Sequence, residues 1–155
     1  MMKVKEFMIT DVISIRENTT VRELLQILVS NKIGGVPVVN MDDVLVGIIS
    51  DGDVIRYLKP SSRTVYDMFA IVMVSEREKL SEKLRYSLNK SVAEMMITKD
   101  IKTLSTENDI DDALHIFSQH HFKKIPVIGR DKRVVGVVSR GDLLRHITTE
   151  IIKKE

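Results

Sequence analysis

Cysteine is absent from this chain of 155 residues, and so is any run of about 18 apolar residues. Without cysteine, a disulfide framework, a thiolate zinc site and a cysteine nucleophile are excluded. The sequence also lacks a charged segment followed by an apolar one at its start, which is the pattern of a signal peptide. We therefore expect a cytoplasmic protein with no membrane partner.

The charge is nearly balanced, and the motifs of common enzyme classes are missing. The 24 basic and 22 acidic residues are spread along the chain and leave a net charge of +2, so there is no basic stripe for nucleic acid. There is no P-loop, no glycine-rich dinucleotide fingerprint and no histidine spacing typical of a metal site. His120 and His121 are adjacent, so their rings would point in different directions on a helix. The sequence predicts no catalytic activity, no metal and no nucleic-acid partner.

One motif occurs twice in the chain. Residues 21–58 match residues 110–147 at an offset of 89, with 11 of 38 positions identical. A second block matches at an offset of 88, which indicates a duplicated structural unit. The first set of pairs is Leu25/Leu114, Ile27/Ile116, Pro37/Pro126, Val38/Val127, Asp42/Asp131, Val46/Val135, Gly47/Gly136, Ser50/Ser139, Gly52/Gly141, Asp53/Asp142 and Arg56/Arg145; the second is Val4/Val92, Glu6/Glu94, Met8/Met96, Ile9/Ile97 and Thr10/Thr98.

The size of each copy predicts a cleft. A unit of roughly 55 residues buries too little of its surface to be stable alone. The two copies are therefore expected to pack against each other, with a cleft between them. We divide the chain into a first repeat (1–58), a connector (59–91) and a second repeat with a C-terminal tail (92–155).

Each copy is predicted to form a strand, a helix, two strands and a second helix. Cap signals precede the apolar helical stripes, at Thr20 with Glu23 and at Asn108 with Asp109, and runs of β-branched residues indicate buried hairpins. The predicted elements are Val12–Ile15, a helix from Val21, Val36–Val39, Val44–Ile49 and Val54–Leu58 in the first copy, and Lys102–Leu104, Ile110–His120, Ile125–Ile128, Val134–Val138 and a helix from Ser139 in the second.

The connector is longer than an ordinary linker, so it is expected to have a structural role. Helices are predicted over 65–74 and 76–88, and Ser91 with Glu94 has the spacing of a capping box for a short helix. The segment from Met68 to Val74 is apolar on all sides. It packs either against the core of the same chain or in a dimer interface, and the sequence leaves both alternatives open.

The duplicated motifs resemble the CBS domain pair, also called a Bateman module. The resemblance rests on the hydrophobic-Pro-Val strands at 36–38 and 125–127 and on the Gly-x-x-Ser-x-x-Asp endings at 47–53 and 136–142. It covers nearly the whole chain outside the connector, which makes the chain look like a stand-alone pair of CBS repeats. The resemblance implies an α+β fold of two β-α-β-β-α repeats related by a pseudo-twofold axis. It also implies regulation by an adenosyl ligand, such as AMP, ADP, ATP, S-adenosylmethionine or NAD, rather than catalysis.

The Ser-x-x-Asp motifs have two interpretations. A serine at a helix start with an aspartate three residues on can simply satisfy the free amides of the first turn. A carboxylate can also accept hydrogen bonds from both hydroxyls of a ribose. By the resemblance, Asp53 and Asp142 match the ribose-binding position of the family, with Ser50 and Ser139 beside them.

The resemblance also points to an adenine slot, for which apolar walls and main-chain groups are suited. For each valine taken singly, ordinary core packing is the alternative. The residues that match the family's slot are Thr10, Val12, Ile13, Val36, Pro37 and Val38 in the first copy, and Thr98, Ile101, Lys102, Ile125, Pro126 and Val127 in the second.

Charge differs between the two copies. Gly34 and Gly35 become Lys123 and Lys124, and Asp51 becomes Arg140. By the resemblance, residues just before the hydrophobic-Pro-Val strand often bind the phosphate of the ligand, whereas a solvated surface is the alternative for any single lysine. We therefore expect two unequal sites, one suited to a ligand that carries a phosphate.

The leading hypothesis is a homodimeric adenine-nucleotide sensor whose cleft changes a surface that an unknown target protein recognises. Its rival is an interaction module without a physiological nucleotide, in which the serine and aspartate only cap helices. Adenosyl ligands share a base and a ribose, so the sequence does not identify which of them binds.

Overall fold

The computed structural model describes residues 2–58, 81–119 and 123–152. A 3₁₀ turn at Val4–Glu6 opens the first half, a second at Val92–Glu94 opens the second, and a π-helical turn at Thr148–Ile152 follows the last helix. The elements in chain order are α1 (Val21–Asn31), β1 (Gly35–Val39), β2 (Leu45–Ser50), α2 (Asp51–Leu58), α3 (described over 81–88), β3 (Leu104–Ser105), α4 (Ile110–Gln119), β4 (Lys124–Ile128), β5 (Val134–Ser139) and α5 (Arg140–Ile147).

The two halves have the same topology, and the predicted α+β class is confirmed. β1 pairs with β2 and β4 pairs with β5, both antiparallel, with an irregularity at the equivalent position of each hairpin. The first predicted strand of each copy is shorter than expected. Of Val12–Ile15, Ile15 alone forms a parallel bridge, and β3 begins at Leu104 rather than Lys102. The residues before them connect the opening segment, which pairs with the other half, to the sheet of their own half. Only the last residues of each predicted strand therefore pair with β1 or β4.

The helices form where caps and apolar stripes coincide. The hydroxyl of Thr20 accepts a hydrogen bond from the main-chain N–H of Glu23 at 3.1 Å, which caps α1. The stripe of α1 is buried, and the helix ends at Lys32 with φ 52°, in the left-handed region. Asp109 caps α4 by accepting from the N–H of Asp112 at 3.1 Å. Ser91 makes no side-chain cap bond, so the expected capping box there is absent from the short turn.

The opening segment of each half pairs with the sheet of the other half. Ile9 exchanges two main-chain hydrogen bonds with Val137 of β5, both at 2.9 Å. At the equivalent position, Ile97 exchanges two with Ile48 of β2, at 2.9 and 3.0 Å. The hairpin turns also meet, because Leu45 donates to the carbonyl of Lys132 and Val134 donates to that of Asp43. These reciprocal bonds follow the pseudo-twofold symmetry that the resemblance implied.

The exchanged segments complete both hydrophobic cores. Val92 is fully buried in the first core, with Met95 and Met96 packed against it. Val4 is fully buried in the second core, with Phe7 and Met8 beside it. Each core therefore contains residues from both of the sequence-defined repeats. The division of the sequence at 1–58, 59–91 and 92–155 remains a prediction. In the folded chain, the opening segment of each repeat packs in the core of the other repeat.

Two glycines make this interleaving possible. Met8 lies across Gly136 and Met96 lies across Gly47, so a Cβ added to these glycines would meet the sulfur atoms at 2.5 and 2.7 Å. Real Cβ contacts are essentially never so short. The glycine and the methionine that are repeated in the sequence are thus the two partners of one contact, and this contact occurs twice, as Met8 with Gly136 and Met96 with Gly47.

The described part of the connector is anchored to the first half. Residues 81–88 are helical. The ammonium of Lys90 lies 4.5 Å from the ring centroid of Tyr86 and 5.9 Å from that of Tyr57, a residue of α2 in the first half. The hydrogen bond with Tyr57 raises the pKa of the Lys90 ammonium. The helix predicted over 65–74 and its apolar segment lie outside the described residues.

Gly136→Ala is expected to destabilise the protein by about 1–3 kcal/mol, because the new methyl group overpacks against Met8. Urea unfolding measures the change. Gly129→Ala is the matched control, since its added Cβ meets nothing closer than 3.6 Å. Equal unfolding free energies for the two variants would contradict the close packing of Met8.

Candidate functional site

A cavity of about 310 Å³ lies where the two halves meet. This volume is at the lower end of the range for small-molecule sites, about 300–1,000 Å³. The cleft expected between the copies is therefore present. Its lining residues are Gly34, Gly35, Val36, Pro37, Ile48, Ile49, Ser50, Asp51, Gly52, Asp53 and Arg56 from the first half, and Ile97, Lys123, Lys124, Pro126 and Val137 from the second.

The two prolines in the cavity wall occupy strand positions that need no N–H. Pro37 faces Ile48 across the hairpin, and Ile48 uses both its main-chain groups to pair with Ile97 on its other side. The missing N–H of proline therefore costs no bond in this ladder. Pro126 is placed in the same way, opposite a valine of β5 that pairs with the opening segment. These apolar residues supply walls against which a flat ring can pack.

Asp53 is held at the start of α2 by its own motif. Its Oδ2 accepts from the N–H of Ser50 at 2.8 Å and from the Ser50 hydroxyl at 3.1 Å. Its Oδ1 accepts from the guanidinium of Arg56 at 2.6 Å, and its side chain is only 8% exposed. The Arg56 guanidinium lies over Gly52, where a Cβ would be 3.2 Å from Nη1. The motif thus fixes both the carboxylate and the arginine.

The second copy builds the same unit at the start of α5. The Asp142 carboxylate accepts from the Ser139 hydroxyl at 2.6 Å and pairs with Arg145, and its side chain is 14% exposed. Burial by itself raises the pKa of the Asp142 carboxyl. The hydrogen bond from Ser139 and the charge of Arg145 outweigh burial and hold the pKa below its usual range. Asp142 is therefore ionised at neutral pH.

Capping and ligand binding are compatible at Asp53. An ionised carboxylate offers about four acceptor positions, and Asp53 uses three of them. One position remains for a ribose hydroxyl, and a second becomes available if the exposed Arg56 turns away. The capping interpretation accounts for the bonds that are present, and the ribose role remains a prediction for both aspartates.

Lys124 brings a positive charge to the cavity wall. Its side chain is half-buried, and its ammonium makes no hydrogen bond or ion pair with any residue in the described ranges. Burial lowers the pKa of Lys124, and the charge of Asp142 opposes that effect. An unpaired, partly desolvated ammonium in a cavity is suited to an anionic group.

Lys123 lies at the same end of the cavity but already has a partner. Its Nζ is 3.2 and 3.3 Å from the two carboxylate oxygens of Asp51, which belongs to the other half of the chain. Arg140, the third basic residue that distinguishes the second copy, is exposed and does not line this cavity. The three basic residues are therefore divided between the cavity and the surface.

Several residues predicted from the resemblance lie elsewhere in the described structure. Val38, Ile125 and Val127 are fully buried in the two cores, so their side chains are not available to a ligand in this arrangement. Two further sets do not line the cavity of 310 Å³: the entrance residues Thr10, Val12, Ile13, Thr98, Ile101 and Lys102, and the second motif residues Ser139, Arg140 and Asp142. Those that do line it are Val36, Pro37, Ser50, Asp53, Lys123, Lys124 and Pro126.

Other lining residues were not predicted. Asp51 and Arg56 line the cavity, and so does Ile97, which reaches it by pairing with β2. The identity of Arg56 with Arg145 was a signal available in the repeats. The position of Ile97 depends on the exchange of opening segments between the halves. The sequence showed that Ile9 and Ile97 are equivalent, but not that each pairs with the opposite sheet.

Neither a metal centre nor a membrane-spanning helix is found in the part of the chain that the structure describes. There, no three histidine or acidic side chains are grouped as metal ligands. No described helix combines the length and the apolar character needed to cross a bilayer. The cytoplasmic location stays a prediction.

Comparison with known proteins identifies two matching segments. The family model described as CBS domain matches residues 4–60 and 92–149. CBSX1, a chloroplastic CBS domain-containing protein of Arabidopsis thaliana, is 31% identical over 134 residues, and these span 84% of this chain and 57% of CBSX1.

Two solved structures share the fold. The complex of Arabidopsis thaliana CBSX2 with AMP matches with a TM-score of 0.73 and 21% identity over 100% of both chains. The domain pair of MJ0100 in complex with 5′-methylthioadenosine and S-adenosyl-L-methionine matches with a TM-score of 0.68 and 22% identity, over 96% of this chain and 97% of the other.

Asp142→Asn is expected to lower the free energy of unfolding by about 1 kcal/mol or more at neutral pH, because charged hydrogen bonds to Ser139 and Arg145 are weakened. The folded-state pKa of Asp142 is depressed, so its contribution is complete above the ordinary carboxyl pKa of about 3.9. The contribution disappears as the pH falls through the folded-state value. Urea unfolding at pH 7, 5 and 3 should show the two proteins converging in acid, and a difference that is constant with pH contradicts the assignment.

Proposed function

This chain belongs to the CBS domain family as a pair of repeats, and from that premise we propose that it is a non-catalytic regulatory module that binds an adenosyl ligand between its two halves. The family match covers most of the chain and confirms the resemblance. The ligand we favour is AMP or another adenine nucleotide, ADP or ATP, with S-adenosylmethionine and NAD as further adenosyl compounds. No catalytic cofactor is part of the proposal.

The observation that carries the proposal is the composition of the cavity. The cavity is lined by apolar residues, by Asp53 at the start of α2, and by Lys124, whose ammonium has no hydrogen-bond or ion-pair partner among the described residues. A base needs the walls, a ribose needs the carboxylate and a phosphate needs the ammonium. The complexes of CBSX2 with AMP and of MJ0100 with two adenosyl compounds support the same class of ligand.

The binding geometry we propose uses both halves of the chain. The base packs on the apolar face that Pro37 and Ile48 share, the ribose contacts Asp53, and the phosphate faces Lys124. A ligand held in this way touches elements from both copies at once. It therefore favours the arrangement in which the halves are close, and it shifts the population toward that arrangement in proportion to its differential affinity. A target protein that recognises one arrangement would respond to ligand concentration.

Self-association is a second proposal, and it retains the interaction-module alternative. Ile55 of α2 is 67% exposed and Leu144 of α5 is 62% exposed, and these two residues occupy equivalent positions of the repeat. Ile151 and Ile152 extend the apolar surface beyond α5. A twofold homodimer uses the same patch on both subunits, so we propose that a second copy of the chain covers these helices. The apolar segment from Met68 to Val74, which includes Phe69 and is the sequence-based candidate for a dimer interface, lies outside the described residues.

Calorimetric titration tests the ligand class. AMP, ATP, NAD and S-adenosylmethionine should bind, whereas GMP and CMP should bind more weakly. Lys124→Gln should weaken AMP by about tenfold, because a charged hydrogen bond is lost, and leave adenosine nearly unchanged. Lys132→Gln, in a hairpin turn, is the charge-matched control. If no adenosyl ligand binds, the interaction-module function replaces this one.

Leu144→Glu should convert the homodimer to a monomer, since a charge placed in an apolar interface must be desolvated. Sedimentation equilibrium measures the mass. Leu144→Arg provides a second variant of opposite charge with the same expected result. The neighbouring Arg145 is paired with Asp142. A wild-type chain that sediments at 17.7 kDa contradicts the homodimer directly.

A further inference from the structure

An ion pair between the two halves forms part of the cavity wall beside Lys124. The carboxylate of Asp51, in the first turn of α2, contacts the ammonium of Lys123 with both oxygens, at 3.2 and 3.3 Å. Both residues line the cavity. Gly34 leaves room for this contact, because a Cβ at that position would lie 3.2 Å from the Lys123 side chain. The contact therefore depends on a residue without a side chain in the first copy.

The equivalent positions of the second copy carry the opposite charge. The main chain of Asp51 donates to the carbonyl of Gly34 at 2.8 Å, and that of Arg140 donates to the carbonyl of Lys123 at 3.3 Å. The backbone geometry is thus repeated, but a carboxylate stands beside a glycine in one copy and a guanidinium beside a lysine in the other. The carboxylate is a feature of one side of the pair.

We propose that Asp51 is an internal competitor for Lys123 and sets the charge of the ligand that the cavity accepts. The carboxylate occupies the position on Lys123 that a phosphate oxygen would take, whereas neighbouring Lys124 forms no ion pair within the described ranges. This inference rests on the proposed adenosyl function and adds a residue that determines specificity. It assigns to Asp51 discrimination among adenosyl ligands by their number of negative charges.

The exposure of the ion pair makes the competition reversible. Lys123 is 68% exposed and Asp51 is 44% exposed, and exposed pairs of this kind contribute little to stability. A phosphate can therefore displace the carboxylate. The displaced Asp51 then remains close to the bound phosphate, and like charges at such distances repel. Adenosine has no phosphate and avoids this repulsion. AMP experiences it from one phosphate group, and ATP without a divalent cation experiences it most.

Removing the charge of Asp51 tests the inference. Asp51→Asn keeps the size of the side chain and an oxygen that can accept from the N–H of Gly52, as Asp51 does at 2.7 Å. Titration calorimetry in chelator-treated buffer should show AMP tightening about fivefold, the effect of one unit charge near 4 Å in water. ATP should tighten more than AMP, and adenosine should not change. Asp42→Asn, in an exposed hairpin turn, is the matched control and should alter none of the three.

A double-mutant cycle identifies Lys123 as the object of the competition. Lys123→Gln should weaken AMP less in the wild-type chain than in the Asp51→Asn chain, where the ammonium is released. Additive effects overturn the inference, as does equal tightening of AMP and adenosine by Asp51→Asn. If the wild type binds adenosine but Asp51→Asn leaves AMP unchanged, the inference alone fails. If both chains bind neither ligand, the adenosyl function fails with it.

Discussion

The structure depends on the reciprocal pairing of two short segments with the opposite sheets. Ile9 on Val137 and Ile97 on Ile48 hold the halves together through main-chain bonds, and buried Val4 and Val92 carry the segments into the two cores. Neither half has a complete core without the other, which agrees with the marginal stability expected of units this small. The cavity is a consequence of this pairing, because Ile97 and Val137 are part of its wall.

Symmetry of the backbone and asymmetry of charge have different roles in this account. The repeated glycines and prolines maintain equivalent strand contacts in both copies, and the repeated serine, aspartate and arginine residues fix equivalent helix starts. The charges that are not repeated are the basis of the selectivity that we propose for the cavity. Asp51 and Lys123 form an ion pair in the cavity wall, whereas Arg140 occupies the position equivalent to Asp51 in the second copy. Duplication thus accounts for the scaffold, and the proposed selectivity depends on positions at which the two copies differ.

Local patterns predicted the helices and hairpins because those elements depend on nearby residues. The Thr20 cap, the stripe of α1 and the paired β-branched runs are examples. The exchange of segments depends on contacts between residues far apart along the chain, Ile9 with Val137 and Ile97 with Ile48, which no local periodicity encodes. The same limit applies to the site. The sequence identified Ser50, Asp53 and Lys124, but the contact of Lys123 with Asp51 and the wall formed by Ile97 required the folded arrangement.

The central claim is that one adenosyl ligand contacts both halves of the chain at the cavity between them. Hydrogen–deuterium exchange with and without saturating AMP tests it most directly, because each peptide reports its own protection. The account predicts slower exchange together in residues 34–37, 50–53 and 123–126, with residues 40–43 of the exposed hairpin turn unchanged. Protection confined to one half of the chain, or none at any of these segments, would contradict it.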